Sequence, residues 1–326
     1  MRPMAARRQS KVNPKYKTNY RVRNWAEYEK GLRQRGDITI WFDEDAIKAW
    51  NAVPTGKPGG QTKYSDLAIV TALTLRILFK LPLRQAEGFL TSLVRIMALD
   101  LDVPDHTTLS RRGRVVDVPV YKRTHDDPIQ LMIDSTGLKI VGEGEWHSEK
   151  HKTSKKRRKW RKLHIGVDEQ GYIVASELTT SEESDPSTVP TLIKQLTAKI
   201  SQFIGDGAYD TQKVYKELAD AGTDDIQIIV PPRKTATRNP SVRGVWAQRD
   251  AAVQRIDEIG RQAWRKEAGA NRQAHVENAM FRLKRSTGDH LLTKHFDTQK
   301  REIKIRVNLV NRAFDLGRPE SYKIID

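Results

Sequence analysis

The chain has 326 residues, 37% hydrophobic and 30% charged, with a formal net charge of +17 and a pI near 9.9. That length holds two domains and a sizeable core, and the charge selects a polyanionic partner, nucleic acid ahead of an anionic membrane surface. There is no cysteine, which excludes disulfides and thiolate zinc sites and suits a reducing cytosol.

Residues 1–23 hold eight Lys or Arg and no acid. Residues 1–24 are therefore expected to be a basic, disordered arm on DNA phosphates, the alternative being a solubilising tail. MRPMAARRQSK has no apolar core behind its basic residues, which does not fit a secretory signal. Residues 25–120 read as a helical DNA-binding domain. A short helix is expected from about Asp43, and PTGKPGG (54–60) is a turn or linker. Ser65-Asp66 caps a helix to about Lys80; Arg76, Lys80 and Pro82 interrupt its apolar run, so it is not a membrane span. A second helix presents Leu83, Ala86, Phe89, Leu90, Leu93 and Ile96 at helical spacing. A turn at Pro104-Asp105 leads into a short polar helix. Helix, turn and polar helix form the helix-turn-helix pattern, with Thr107, Thr108, Arg111, Arg112 and Arg114 as DNA contacts. A plain helical domain with a basic last helix is the alternative.

Residues 121–326 read as the second, catalytic domain, and from residue 128 the period changes from helix to strand. PIQLMID is a strand expected to end at Asp134. WRKLHIGVDEQGYIVASELTT is a hairpin, and Asp185-Pro186 opens a helix. SQFIGDGAYD is a fourth strand, TQKVYKELADAG a helix ending at Gly222, and IQIIVPP a fifth strand stopped by its prolines. A meander followed by helix–strand–helix–strand is the order of a ribonuclease H-like mixed α/β sheet. An insertion is expected at about 232–270, with one helix over WAQRDAAVQRIDEIGRQAWRKEAG. HVENAMFRLKRSTG then places Val276, Ala279, Met280 and Leu283 on one face, and a last helix covers about 299–316.

Two apolar strands each run into a lone acid, Asp134 and Asp206, on strands that lie side by side in this order. Glu277 follows on a late helix. Converging carboxylates are what a two-metal phosphoryl-transfer site requires, because hard cations take oxygen ligands. Each acid alone also reads as a turn, cap or helix-surface residue.

IDSTGLK, IGDGAYD, HVENAMFRLK and the tail LGRPES resemble the DDE transposases of bacterial insertion sequences, over about residues 25–320. The nearest likeness is to insertion-sequence family five, in the subgroup typified by insertion sequence 903. The resemblance implies Asp134, Asp206 and Glu277 as ligands for Mg²⁺, or Mn²⁺ in its place. It further implies recognition of terminal inverted repeats and cut or copy transposition. In related hairpin-forming elements the acidic motif is Tyr-x2-Arg-x3-Glu-x6-Lys. Here Glu277 and Lys284 keep the last spacing, whereas Ala270 and Gln273 stand at the Tyr and Arg positions, with Arg272 adjacent. Lys284 and Arg272 are thus candidate phosphate contacts, and no hairpin intermediate is expected.

HSEKHKTSKKRRKWRKL (147–163) carries nine Lys or Arg and one Glu. Lys155, Lys156, Arg157, Arg158, Lys159 and Arg161 read as a DNA clamp, with Trp146 or Trp160 available to stack; a solvated loop is the alternative. His147 and His151 lack further ligands for zinc. His164 reads as a core residue, His275 as a possible neighbour of the site, and Trp246 and Trp264 as packing. Double-stranded DNA, a homodimer or larger assembly and a bacterial cytoplasmic location complete the reading. The alternatives are a nuclease on the same core and an inactive DNA-binding derivative.

Overall fold

The computed structural model describes residues 20–54, 56, 58–119, 127–140, 160–239 and 243–324. The chain forms two compact units, one from Met1–Ile40 with Ala313–Asp326, the other Trp41–Arg312. In the smaller unit, β1 (Tyr20–Val22) pairs antiparallel with β8 (Ser321–Lys323). Asn24 ties the same ends: its Nδ2 donates to the Arg318 carbonyl at 3.0 Å, and its Oδ1 accepts from Glu320 N at 2.8 Å. In α1 (Trp25–Gln34), Gly31 lies against the Leu316 backbone so closely that a Cβ would collide with it.

The larger unit begins after α2 (Ile38–Trp41) with α3 (Glu44–Lys48), capped by Asp43. Ser65 caps α4 (Asp66–Leu78), accepting from Ala68 N at 3.0 Å. α4 is buried along most of its length, including Arg76, which donates to the carbonyls of Leu81 at 3.2 Å and Leu292 at 3.0 Å. α5 (Leu83–Ile96) buries Ala86, Leu90 and Val94 at i, i+4 spacing. Ile96, expected on that face, is 76% exposed. α6 (His106–Arg112) packs on both α4 and α5. The boundary expected near residue 120 does not separate two units, since these helices belong with the sheet.

The sheet comprises β2 (Ile129–Ile140), β3 (Trp160–Val167), β4 (Ile173–Thr180), β5 (Ile200–Ile204) and β6 (Gly222–Ile229), in spatial order β4-β3-β2-β5-β6. β2, β3 and β4 form the antiparallel meander, while β5 and β6 run parallel to β2. β2 does not end at Asp134. It continues six residues further, pairing with β3 as far as Lys139 and with β7 (His290–Leu291) at Lys139 and Ile140. The Ser-Thr-Gly sequence that looks like a turn is held extended by its pairing with β3.

Both sheet faces are covered, as the alternation along β2 requires. Ile129, Leu131 and Ile133 pack with Val189 and Leu192 of α7 (Asp185–Ile193) and with Val214, Tyr215 and Leu218 of α8 (Gln212–Ala221). α7, opened by Asp185-Pro186 as expected, stops at Ile193. The expected helix over 246–269 is two, α9 (Ala247–Ile259) and α10 (Arg261–Glu267), broken at Gly260 with φ +84°. On the other face Met132, Leu138, Leu163 and Ile165 meet Val276, Ala279, Met280 and Leu283 of α11 (Ala274–Thr287). Ile303, Val307 and Val310 of α12 (Phe296–Asp315) join the same core. This is the ribonuclease H-like mixed α/β fold that the order of elements predicts.

Candidate active site

Asp134 lies in the middle of β2, half-buried, two residues before Thr136 and therefore on the same sheet face. The parallel register pairs Met132 with Ile204. Two residues further along each chain stand Asp134 and Asp206, so the two acids emerge at matched positions from adjacent strands. Asp206 follows the end of β5 and caps the 3₁₀ turn Gly207–Tyr209, its Oδ1 accepting from Ala208 N at 2.9 Å. Gly205 permits that turn: a Cβ there would lie 2.8 Å from Tyr209 Cδ2. Asp206 is exposed.

Glu277 occupies the first turn of α11 and is exposed. Lys284 follows it by seven residues, two helical turns on, and so shares its stripe. Its Nζ donates to Thr136 Oγ1 at 2.6 Å, which fixes α11 alongside the segment of β2 that carries Asp134. Burial pushes the Asp134 carboxyl above the usual carboxylate range, opposed by the Ser135 N–H at 2.7 Å. The negative charges of Asp206, Asp185 and Glu277 push it up further. Asp185, read from sequence only as a helix start, is thus an electrostatic neighbour of the expected acids. It opens α7, where Lys162 Nζ stands 3.2 Å from its Oδ1.

Among the described residues, no three His, Asp or Glu side chains stand close enough to ligate one ion. The donor chemistry nevertheless fits a hard divalent cation. The acids offer oxygen only, and mutual repulsion at a half-buried carboxylate is what such an ion offsets. None of Asp134, Asp206 and Glu277 forms an ion pair among the described residues.

The helix-turn-helix candidates divide. Asp105 caps α6, accepting from Thr107 N and Thr108 N at 2.8 Å. It also takes the hydroxyl of Thr107 at 2.5 Å and that of Thr108 at 3.0 Å. These bonds hold the Asp105 carboxyl well below its ordinary range, the Thr107 hydroxyl contributing most. Arg112 is engaged inside the fold, donating to the Tyr64 carbonyl at 2.9 Å and pairing with Asp66. Arg114 donates to His295 Nε2 at 2.9 Å. Arg111 is exposed beside Arg84 and Thr107 in a groove between α5 and α6.

Arg161 donates to Gln299 Oε1 at 3.0 Å and lies over the Phe296 ring. Arg272 donates to Gln130 Oε1 at the start of β2. Lys155, Lys156, Arg157, Arg158 and Lys159 lie outside the described residues, as do Trp146, His147 and His151. Trp160 is 40% exposed, its ring over Gly137. His164 is buried in the sheet and His275 is exposed. Trp264 is buried, and Trp246 packs edge-on against Tyr215. Among the described residues no helix is long and apolar enough to cross a membrane.

Residues 125–311 match a family model described as a transposase DDE domain, and residues 33–143 match a second model of the same description. An uncharacterized protein of Aquifex aeolicus (strain VF5) is 29% identical over 248 residues, 69% of this chain and 75% of the relative. The match at 125–311 covers more than half of the chain and takes in all six strands of the sheet and α11. By that match and by the strand order that brings Asp134 beside Asp206, this chain belongs to the DDE transposase family.

Proposed function

We propose that this transposase binds the terminal inverted repeats of an insertion sequence and catalyses metal-dependent strand cleavage and transfer. Within the family we place it with insertion-sequence family five, in the subgroup typified by insertion sequence 903. The observation that carries the reading is the matched emergence of Asp134 and Asp206 from β2 and β5, with Glu277 within electrostatic reach of Asp134.

Asp134, Asp206 and Glu277 would hold Mg²⁺, with Mn²⁺ as a substitute. A divalent ion bound there supplies Lewis-acid stabilisation of phosphoryl oxygens and lowers the pKa of an attacking water or 3′-hydroxyl. Lys284, held at Thr136, presents its ammonium next to the acids and grips a phosphate oxygen of the strand being cut. Arg111 at the exposed end of α6, with Thr107, Thr108 and Arg114, meets the DNA of the element end. Arg161, Arg272 and the basic run Lys155–Lys159 contact phosphates closer to the cut. Holding two ends together requires a homodimer or larger assembly on cytoplasmic, nucleoid DNA.

The test incubates purified protein with duplexes carrying the element ends, in Mg²⁺ or EDTA, and separates products on a denaturing gel. Metal-dependent nicks at the end boundary, with joined products when target DNA is present, are expected. Nicks without joining would leave a nuclease on the same core, and binding without nicks an inactive derivative.

A further inference from the structure

The groove between α5 and α6 adjoins a second concavity, with which it shares Leu83 and Ser110. The second one is lined by α4, by the end of α6 and by Leu292–His295, the segment that follows β7. Arg84 and Arg111 line the first, Arg114, Lys294 and His295 the second, and no described Asp or Glu lines either. A cleft walled by one sign of charge focuses the field and draws in the opposite sign. Arg84, Arg111 and Lys294 are exposed, and none forms an ion pair or a side-chain hydrogen bond among the described residues.

The segment carrying Lys294 and His295 is held from beneath by three buried polar side chains. Glu302 accepts from Leu292 N and Thr293 Oγ1, both at 2.8 Å. Gln299 Nε2 donates to the Thr293 carbonyl at 3.0 Å and to the Lys294 carbonyl at 3.2 Å. Arg76 donates to the Leu292 carbonyl at 3.0 Å. These three residues are 3%, 0% and 7% exposed, and taking such groups out of water is costly. What they fix in common is the backbone from Leu292 to Lys294, which leaves the Lys294 and His295 side chains exposed. His295 in turn meets the Arg114 guanidinium at 2.9 Å, tying the end of α6 to this segment. β7, just before it, pairs with Lys139 and Ile140 of β2, the strand that carries Asp134.

We propose that the two concavities form one track for the phosphate backbone of duplex DNA, with Arg84 and Lys294 as contacts beside Arg111 and Arg114. The inference rests on the reading of this chain as a protein that binds element-end DNA. A second copy of the chain would meet these cations with the same surface and the same sign of charge, whereas DNA brings the opposite sign.

The test measures affinity of the full chain for element-end duplex over a range of salt. Arg84→Ala and Lys294→Ala should each lower the slope of log affinity against log salt by about 1, and the double variant by about 2. Both side chains are exposed and unbonded, so melting temperature should not change. Lys294→Arg should keep the wild-type slope. Lys216→Ala removes an equal charge from exposed α8, on the opposite face of the sheet, and should also keep it. Wild-type slopes in both Arg84→Ala and Lys294→Ala overturn the proposal; if those variants also sediment as smaller assemblies, the track is an interface between copies. An equal drop in Lys216→Ala overturns it too, as an effect of net charge alone. If the wild-type chain binds duplex weakly and without salt dependence, the DNA-binding reading itself fails, and this inference falls with it.

Discussion

Two charged clusters lie on the same side of the sheet and differ in how their charges are met. Glu302 and Arg306 of α12 are 3% and 0% exposed and paired at 2.6 Å. Glu302 also accepts from Leu292 N and Thr293 Oγ1, both at 2.8 Å, and Arg306 donates to the Gly288 carbonyl at 3.0 Å. Every charge there has an opposite, and the cluster ties α12 to the segment that follows α11. The charges of Asp206 and Glu277 act against that of Asp134, and among the described residues no cation pairs with any of the three. A buried charge that is paired holds a fold together, whereas acids gathered without counter-charge indicate a site that works on something brought to it.

This contrast is open to test. Removing one acid of the unpaired cluster should cost function and not stability. Asp134→Asn is expected to lower cleavage of element-end DNA by about 10³-fold or more, with melting temperature unchanged or raised because a half-buried, repelled carboxylate is gone. A stability loss on the scale of the paired cluster would erase the distinction. Glu302→Ala should do the reverse. Stranding Arg306 is expected to cost about 3–5 kcal/mol in denaturant unfolding, with the remaining folded fraction still able to cleave.

Lys284→Ala sits between the two and is expected to reduce cleavage by about 10- to 100-fold with a small change in DNA affinity. Lys284→Met with equal activity would reduce its bond to Thr136 to packing alone. The smallest effects belong to α6. Arg111→Ala should weaken DNA binding and lower the slope of log affinity against log salt by about 1. Arg112→Ala, whose guanidinium is held by Tyr64 and Asp66, should change stability more than the salt slope. Equal slopes for both variants would remove α6 from the DNA interface.

The sequence made the order of strands legible because periods of two and 3.6 change sharply at residue 128, and the sheet follows that order. Helix starts were equally legible: Asp43, Ser65 and Asp105 each accept the backbone N–H that a capping residue should. What failed depended on tertiary pairing. Ser135-Thr136-Gly137 reads as a turn, yet pairing with His164, Leu163 and Lys162 of β3 holds it as strand. Ile96 fits the helical spacing of α5 but lies off the stripe of Ala86, Leu90 and Val94 that α5 buries. Gly260 divides one apparent helix in two because only its backbone conformation, not its neighbours, marks the break. At the site, Asp134 and Asp206 stood out as lone charges after apolar runs, and Glu277 as an acid early in a late helix. Asp185, whose charge also acts on Asp134, did not, because an acid at a helix start is common.

The most direct test of the central claim is cleavage of element-end DNA in Mg²⁺ by Glu277→Gln, with DNA affinity measured on the same preparation. Glu277 is exposed and makes no ion pair among the described residues, so the substitution removes a charge and little else. Loss of Mg²⁺-dependent cuts with DNA affinity retained is the result predicted. Cutting at the wild-type rate would show that Glu277 is not the third acid and that the site is built from other residues.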